Sequence, residues 1–113
     1  MVPVDMRRRR FTAAAIAAIA GATGARWSNA APAVHTVTID GFAYKPAELS
    51  VARGDTVVWH NTDPVPHTVT AKGVFDSGAI AAGASWTYVA RKAGRFDYLC
   101  TFHPIMKGRL AVS

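Results

Sequence analysis

From Val34 to the C-terminus, the sequence consists of short runs rich in Val, Thr, Tyr, Phe and Trp, separated by Gly, Pro, Asn and Asp. Within these runs apolar residues tend to alternate with polar ones, as expected of strands whose successive side chains point to opposite faces of a sheet. We predict strands at 34–40, 47–52, 56–62, 67–72, 84–90, 94–100 and 107–113. No stretch of this region has helical periodicity, so the pattern predicts an all-β domain.

The alternation also predicts which side chains face the core. The residues expected to share a buried face within a strand are Val37 with Ile39, Val57 with Trp59, Trp86 with Tyr88, Phe96 with Tyr98 and Cys100, and Leu110 with Val112. Seven short strands in one small domain imply an antiparallel β-sandwich or barrel. Because the core of so small a domain is marginal, we expect a further stabilising element.

Residues 1–33 have a different composition and are predicted to be a signal peptide. Four arginines, Arg7 to Arg10, precede a short stretch of Ala, Ile and Gly that ends in small residues. This order matches a secretory signal, and the arginine run also fits a twin-arginine export signal. Met6 is an alternative start. We therefore expect residues 34–113 to form one exported domain, periplasmic or secreted.

The net charge of +6 does not indicate a nucleic-acid-binding protein. The chain has 13 basic and 7 acidic residues, and residues 1–33 hold five arginines against one aspartate. The remaining eight basic and six acidic side chains are scattered along the predicted domain, without the clustering that a phosphate-binding groove needs. The chain also lacks a run of about twenty apolar residues, which argues against a permanent membrane span.

Three potential metal ligands lie within seven residues near the C-terminus. Cys100, His103 and Met106 have the spacing Cys-x2-His-x2-Met between the last two predicted strands. We expect a strand ending at Cys100 and a tight turn returning through Met106 to bring these side chains to one point. His67, which opens the predicted strand 67–72, is the expected fourth ligand.

The types of these four side chains point to copper. Two imidazoles, a thiolate and a weak axial thioether form the ligand set of blue-copper electron-transfer sites. Each residue alone has an ordinary explanation, since a lone Cys or Met is usually a buried apolar side chain. A free thiol in an oxidising compartment is, however, open to oxidation unless a metal holds it. We therefore predict one copper ion at this site.

Residues 34–113 resemble the cupredoxins, and the short ligand loop is most similar to that of amicyanin-like and plastocyanin-like members. The segments that carry the resemblance are Lys45-Pro46, Gly54-Asp55-Thr56-Val57, Trp59-His60-Asn61, Pro66-His67, Phe75-Asp76-Ser77-Gly78, Phe96-Asp97-Tyr98-Leu99-Cys100 and His103-Pro104-Ile105-Met106-Lys107-Gly108. The resemblance implies a Greek-key β-sandwich with a type 1 copper bound by His67, Cys100, His103 and Met106. It also implies that Asn61 braces the ligand loops by hydrogen bonds.

One position departs from the amicyanin-like pattern, which often has proline two residues after the cysteine. Phe102 stands there and keeps its backbone N–H. We expect the N–H groups of Phe102 and Thr68 to donate to the Cys100 sulfur. Because such bonds withdraw charge from the thiolate, they favour Cu(I).

The resemblance implies a mobile single-electron carrier that cycles between Cu(II) and Cu(I). We expect His103 to reach the surface among apolar side chains and to meet redox partner proteins there in transient encounters. The protein is expected to be a monomer that does not bind nucleic acid.

The ligand set leaves other functions open. The protein could sequester or deliver copper without a redox partner, although it lacks the thiol-rich or Met-rich tail that would favour copper handling. A metal-free structural sandwich is another alternative. Zinc could occupy the Cys and His positions, but structural zinc rarely accepts a thioether.

We do not predict an enzyme. The sequence shows no Ser/His/Asp or paired-carboxylate arrangement, and its two remaining histidines, His35 and His60, are isolated. Copper oxidases and nitrite reductases need a second copper centre, for which this sequence offers no further histidine cluster.

Overall fold

The computed structural model describes residues 31–113, so all but the last three residues of the predicted signal peptide lie outside the described part of the chain. The regular elements of this part are nine strands, with no helix. They are β1 (Val34–Ile39), β2 (Tyr44–Lys45), β3 (Glu48–Val51), β4 (Thr56–Asn61), β5 (Thr70–Ala71), β6 (Phe75–Asp76), β7 (Ser85–Val89), β8 (Gly94–Leu99) and β9 (Lys107–Val112). The described residues thus contain no helix of the length and apolar character needed to cross a membrane.

The predicted all-β class is confirmed, and six of the seven predicted strands are found within one residue of their predicted ends. The exception is the strand predicted at 67–72, which is reduced to β5 and an isolated bridge between His67 and Ile80. The two-residue strands β2 and β6 were not predicted, because two residues are too few to show an alternation.

The strands form two sheets, in the orders β2-β1-β4-β7 and β3-β9-β8-β5-β6. Both sheets are mixed, so the prediction of a wholly antiparallel sandwich was wrong. β1 pairs with β4 in parallel, and β9 pairs with β3 in parallel. Parallel neighbours cannot be joined by a hairpin and need a crossover. The chain makes this crossover between β1 and β4 by passing through β3, which belongs to the other sheet.

The core is one cluster of buried side chains drawn from both sheets. Val37, Ile39, Val57 and Trp59 are 0% exposed, as the alternation in β1 and β4 predicted. Fully burying an aliphatic side chain of this size stabilises the fold by about 1.5–3 kcal/mol. This packed core supports the loops at the ends of the strands.

Loops from both sheets meet at one end of the core. The parallel strands β1 and β4 end side by side, with Ile39 paired to Asn61. From the other sheet, β8 ends at Leu99, directly before Cys100. The loop that follows β4 leads to His67, and a hydrogen bond from Thr68 N–H to Cys100 Sγ joins the two loops. The candidate ligands therefore lie where the two sheets converge.

Candidate metal centre

His67, Cys100 and His103 lie together, with one donor atom from each residue within 4.8 Å of the others. The Cys100 Sγ atom is 3.8 Å from Nδ1 of His67 and 3.8 Å from Nδ1 of His103. Cys100 and His67 are fully buried, while His103 is half-buried. His67 and the pair Cys100 and His103, more than thirty positions further along the chain, thus present one sulfur and two nitrogens to a common point.

Residues 100–106 form a closed loop held by three backbone hydrogen bonds. His103 N–H donates to the Cys100 carbonyl (3.2 Å), and Met106 N–H donates to the His103 carbonyl (2.9 Å). Cys100 N–H donates to the Met106 carbonyl (3.2 Å), which closes the loop. The Met106 side chain is 2% exposed, although Ile105 beside it is 89% exposed. The loop therefore turns the predicted fourth ligand inward and its neighbour outward.

His67 is fixed by its backbone and by its ring. Its backbone N–H donates to the Ile80 carbonyl (3.2 Å), and its carbonyl accepts from Ile80 N–H (2.7 Å). Its Nε2 lies 2.8 Å from Oδ2 of the buried Asp63. An ionised carboxylate only accepts hydrogen bonds, so Nε2 carries the proton and Nδ1 keeps the lone pair that faces the sulfur. This is the tautomer that a metal ligand on the Nδ1 side requires.

The environment of Asp63 keeps its carboxyl ionised. Burial acts to raise the pKa of Asp63, but the N–H groups of Phe42 and Gly41 and the ring of His67 outweigh it, and the pKa lies below its ordinary value. Oδ1 accepts from Gly41 N–H (2.7 Å), and Oδ2 accepts from Phe42 N–H (2.9 Å). One carboxylate thus connects a ligand ring to the turn between β1 and β2.

Thr68 contacts the sulfur through its backbone. Its N–H lies 3.3 Å from Cys100 Sγ, and its carbonyl accepts a hydrogen bond from the buried Tyr44 hydroxyl (2.5 Å). Its own hydroxyl accepts from Thr101 N–H (2.9 Å). Burial, together with the nearby Cys100 and Tyr98, raises the pKa of Tyr44 above its ordinary value, so the hydroxyl remains a donor.

Asn61 holds the segment that precedes His67. Its side-chain amide donates to the carbonyls of Val65 (2.8 Å) and Ile80 (3.0 Å), and its Oδ1 accepts from Asp63 N–H (2.9 Å). Asn61 is 0% exposed. These three bonds hold the loop between β4 and His67 at Asp63 and Val65, and they connect Asn61 to Ile80.

The second predicted N–H donor to the sulfur is not found. In the described part of the chain, Cys100 Sγ accepts a backbone hydrogen bond from Thr68, whereas Phe102 N–H makes none to it. Phe102 occupies the third position of the turn that His103 N–H closes onto the Cys100 carbonyl. In such a turn the hydrogen bond that closes the ring comes from the fourth residue. The Phe102 side chain is 52% exposed.

Sequence reasoning missed two residues that contact the site, Asp63 and Phe42. Asp63 did leave a signal in the sequence, because an acid four residues before a candidate ligand histidine can supply a carboxylate that orients the ring. Phe42 gave no signal, because its contact with the site depends on the turn geometry.

The isolated histidines lie apart from the site: His35 Nε2 is 2.9 Å from Asp55, and His60 Nδ1 is 2.8 Å from the Ser85 hydroxyl.

The two sulfur–nitrogen distances fit one metal ion. Nitrogen and sulfur ligands at the usual 2.0–2.3 Å from a shared ion lie roughly 3.6–3.8 Å apart for angles between tetrahedral and trigonal. Both Sγ–Nδ1 distances here are 3.8 Å. A thiolate with two imidazoles is also a donor set that suits copper.

Comparisons with known proteins give the same family from sequence and from structure. Residues 11–112 match the family described as cupredoxin-like domain, a match that begins inside the predicted signal peptide. No curated protein matches the chain by sequence.

Three solved structures illustrate the range of similarity. An amicyanin variant in the Cu(I) form is 31% identical, with a TM-score of 0.67, over 71% of this chain and 82% of that one. A purple cupredoxin from Nitrosopumilus maritimus is 30% identical, with a TM-score of 0.65, over 70% of this chain and 99% of that one. The copper-containing nitrite reductase of Thermus scotoductus is 26% identical, with a TM-score of 0.66, over 74% of this chain but only 22% of the reductase.

The prediction of one copper ion is confirmed. Three of the four predicted ligands, His67, Cys100 and His103, are positioned to bind it. The family match covers most of the sequence, and the amicyanin and purple-cupredoxin structures align with the described domain along most of their own length. The chain belongs to the cupredoxin family, and its domain is amicyanin-like.

Proposed function

We propose that this protein is a mobile carrier of single electrons that uses one type 1 copper ion. The observation that supports this most directly is the placement of Cys100 Sγ 3.8 Å from Nδ1 of both His67 and His103. Copper bound by such a set supplies a centre that gains and loses one electron. We further propose Met106, buried on the inner side of the ligand loop, as the weak axial ligand.

The rigidity of the ligand framework supports a carrier. Electron transfer is fast when the ligands move little between the two oxidation states of the metal. Here the Cys100 loop is closed by its own backbone bonds, and His67 is bonded to Ile80 through its backbone and to Asp63 through its ring. Backbone and side-chain bonds of the protein itself thus hold the donors, as preorganised sites require.

The surface over the site supports transient encounters with redox partner proteins. His103 is half-buried, and the apolar side chains of Phe102 and Ile105 on its loop are 52% and 89% exposed. A small apolar surface beside a redox centre suits weak and short-lived complexes. Partner proteins would approach the metal from the His103 side, and we propose that the carrier itself is a monomer.

We propose a carrier and not an enzyme. Within residues 31–113 the structure contains one group of three or more metal-binding His, Cys, Asp or Glu side chains, which is the group described above. The similarity to a nitrite reductase extends over 22% of that protein. One mononuclear site is sufficient for electron transfer.

We also propose that residues 1–33 are an export signal and that the carrier works in the periplasm or outside the cell. The arginine run at Arg7–Arg10 and the small residues that precede Val34 support this. Mass spectrometry of the protein recovered from the periplasm tests it. A mature chain that starts close to residue 34 is expected, whereas a full-length protein retained in the cytoplasm contradicts the proposal.

The decisive experiment adds Cu(II) to the purified metal-free domain. An intense visible thiolate-to-copper absorption band is expected, with loss of that band in Cys100→Ser. Reversible one-electron voltammetry and fast electron self-exchange then distinguish a carrier from a protein that sequesters or delivers copper. A colourless product, or a copper complex that cannot be cycled, contradicts the proposed function.

A further inference from the structure

Phe42 lies in the two-residue turn between β1 and β2 and has an unusual backbone conformation. Asp40 and Ala43 exchange hydrogen bonds across the turn, at 3.0 and 3.2 Å. Gly41 has φ of +61° and Phe42 has φ of +58°. Hairpin turns with two positive φ values strongly favour Gly, Asn or Asp at both central positions. A bulky aromatic residue in this conformation is an outlier of the kind that clusters at functional sites.

The buried Asp63 carboxylate holds this turn in place. It accepts hydrogen bonds from the N–H groups of both Gly41 and Phe42, and the same carboxylate is bonded to the His67 ring. The turn is therefore attached to a ligand residue by charge-assisted bonds, which are stronger than neutral ones.

The ring of Phe42 lies against both imidazoles. Its centroid is 5.0 Å from that of His67 at an interplanar angle of 84°, and 4.8 Å from that of His103 at 83°. The two histidine rings are 5.2 Å apart. The three rings thus form a triangle of edge-to-face contacts, a favoured geometry for aromatic pairs. Because Phe42 is 46% exposed while His67 is 0% exposed, Phe42 is the outer member that covers the buried ring.

We propose that Phe42 is a positioning residue for the metal centre: an aromatic cap, held by Asp63, that fixes both imidazoles and keeps small solvent molecules and anions from reaching the metal on this side. The proposal rests on the proposed function insofar as His67 and His103 are taken as the ligands. A purely structural role does not account for the arrangement, since Phe42 is half exposed and glycine would fit its backbone better.

The variant Phe42→Gly removes the aromatic ring without disturbing the fold. Glycine relieves the positive φ, so the variant is expected to fold, with a urea midpoint close to that of the wild type. Removal of the cap is expected to weaken Cu(I) binding by about tenfold or more, measured by competition with a colorimetric chelator. Azide is expected to change the optical and electron paramagnetic resonance spectra of Cu(II)-loaded Phe42→Gly at concentrations that leave the wild type unchanged.

Two further variants serve as controls. Phe42→Leu keeps an apolar cover without the aromatic edge and is expected to give intermediate azide access. Val74→Ala shortens an exposed apolar side chain in a turn that is not among the site's contacts, and it should behave as the wild type. If Phe42→Gly and Val74→Ala bind azide and Cu(I) alike, the cap proposal is wrong.

Nuclear magnetic resonance of the metal-free protein distinguishes failure of the cap from failure of the proposed function. In the wild type, the side-chain signals of His67 and His103 are expected to report single, ordered ring positions, whereas Phe42→Gly should show averaged signals for His103. Equal ring order in the two proteins refutes the cap. If ring order differs as expected but the wild type forms no thiolate-to-copper band, Phe42 still fixes the two imidazoles, whereas the proposed electron carrier fails.

Discussion

Thr68 N–H donates to the sulfur of Cys100 at 3.3 Å, across 32 positions of the sequence. The bond joins the loop that carries His67 to the end of the strand that precedes Cys100. Thr68 also accepts a hydrogen bond from Thr101 N–H through its hydroxyl, so the contact with the sulfur and the contact with the neighbouring backbone come from different groups. The two contributions are therefore separable by mutation.

Thr68→Val is expected to destabilise the protein while leaving the copper spectrum nearly unchanged. Valine keeps the backbone N–H that faces the sulfur but leaves the part-buried Thr101 N–H without its acceptor. Leaving such a group unsatisfied costs about 1–3 kcal/mol. Urea denaturation measures the loss, and Thr68→Ser, which keeps the hydroxyl, should behave nearly as the wild type. Equal stability of Thr68→Val and Thr68→Ser would show that the hydroxyl does not support the loop.

Asp63→Asn is expected to weaken copper binding. Asparagine has no charge and only one acceptor oxygen, so it cannot accept from Gly41, Phe42 and His67 as the carboxylate does, and the bond that sets the tautomer of the ring is weakened. Loss of such a partner typically lowers metal affinity about 10–100-fold. Chelator competition measures the affinity. Asp97→Asn, which breaks an exposed pair with Arg109, is the matched control and should leave copper binding as it is. Wild-type affinity in Asp63→Asn would show that the carboxylate does not orient His67.

The strands were largely predictable because each alternation is a local property of the chain. Val37 and Ile39 in β1, and Val57 and Trp59 in β4, are buried as their positions in the alternation require. The parallel pairing of these two strands was not predictable, because local turn signals say nothing about neighbours joined by a crossover.

The grouping of His67, Cys100 and His103 followed from residue types and spacing, together with the family resemblance. The surroundings of these ligands did not follow. Phe42 reaches the histidines because a hairpin adopts two positive φ values, and this depends on acceptors supplied by Asp63, 21 positions away. Such long-range compensation for local strain leaves no mark in a periodic pattern.

Asp55 is expected to make stability depend on pH in the acid range. The N–H of Ala33, followed by the His35 ring and Ala52 N–H, lowers the pKa of Asp55 from 3.8 to about 2. The unfolded carboxyl has the ordinary pKa, so the unfolded state binds more protons between these values. The stabilisation is therefore fully present above about pH 4 and is lost as the pH falls through about 2.

Urea midpoints of the metal-free wild type and Asp55→Asn, both produced in a form that retains Ala33 and measured between about pH 2 and 6, test this linkage. The difference in urea midpoint between the two proteins should be largest at the highest pH and should shrink as the pH falls. A difference that stays constant across this range would mean that Asp55 ionisation does not contribute to folding stability. Metal-free protein is used so that copper loss does not add to the acid effect.

Gly108→Ala is expected to destabilise the domain by overpacking. Gly108 lies opposite Tyr98 in the pairing of β9 with β8, and a Cβ at this position would overlap the buried Tyr98 ring. Forcing extra volume into a packed core costs about 1–3 kcal/mol, which urea denaturation measures. The same substitution in a Tyr98→Leu background should cost much less, because a leucine side chain lacks the overlapping ring atoms. Contacting residues show such coupling, whereas independent ones show additive effects. If Gly108→Ala lowers the free energy of unfolding equally in both backgrounds, overlap with the Tyr98 ring is not the cause of the destabilisation.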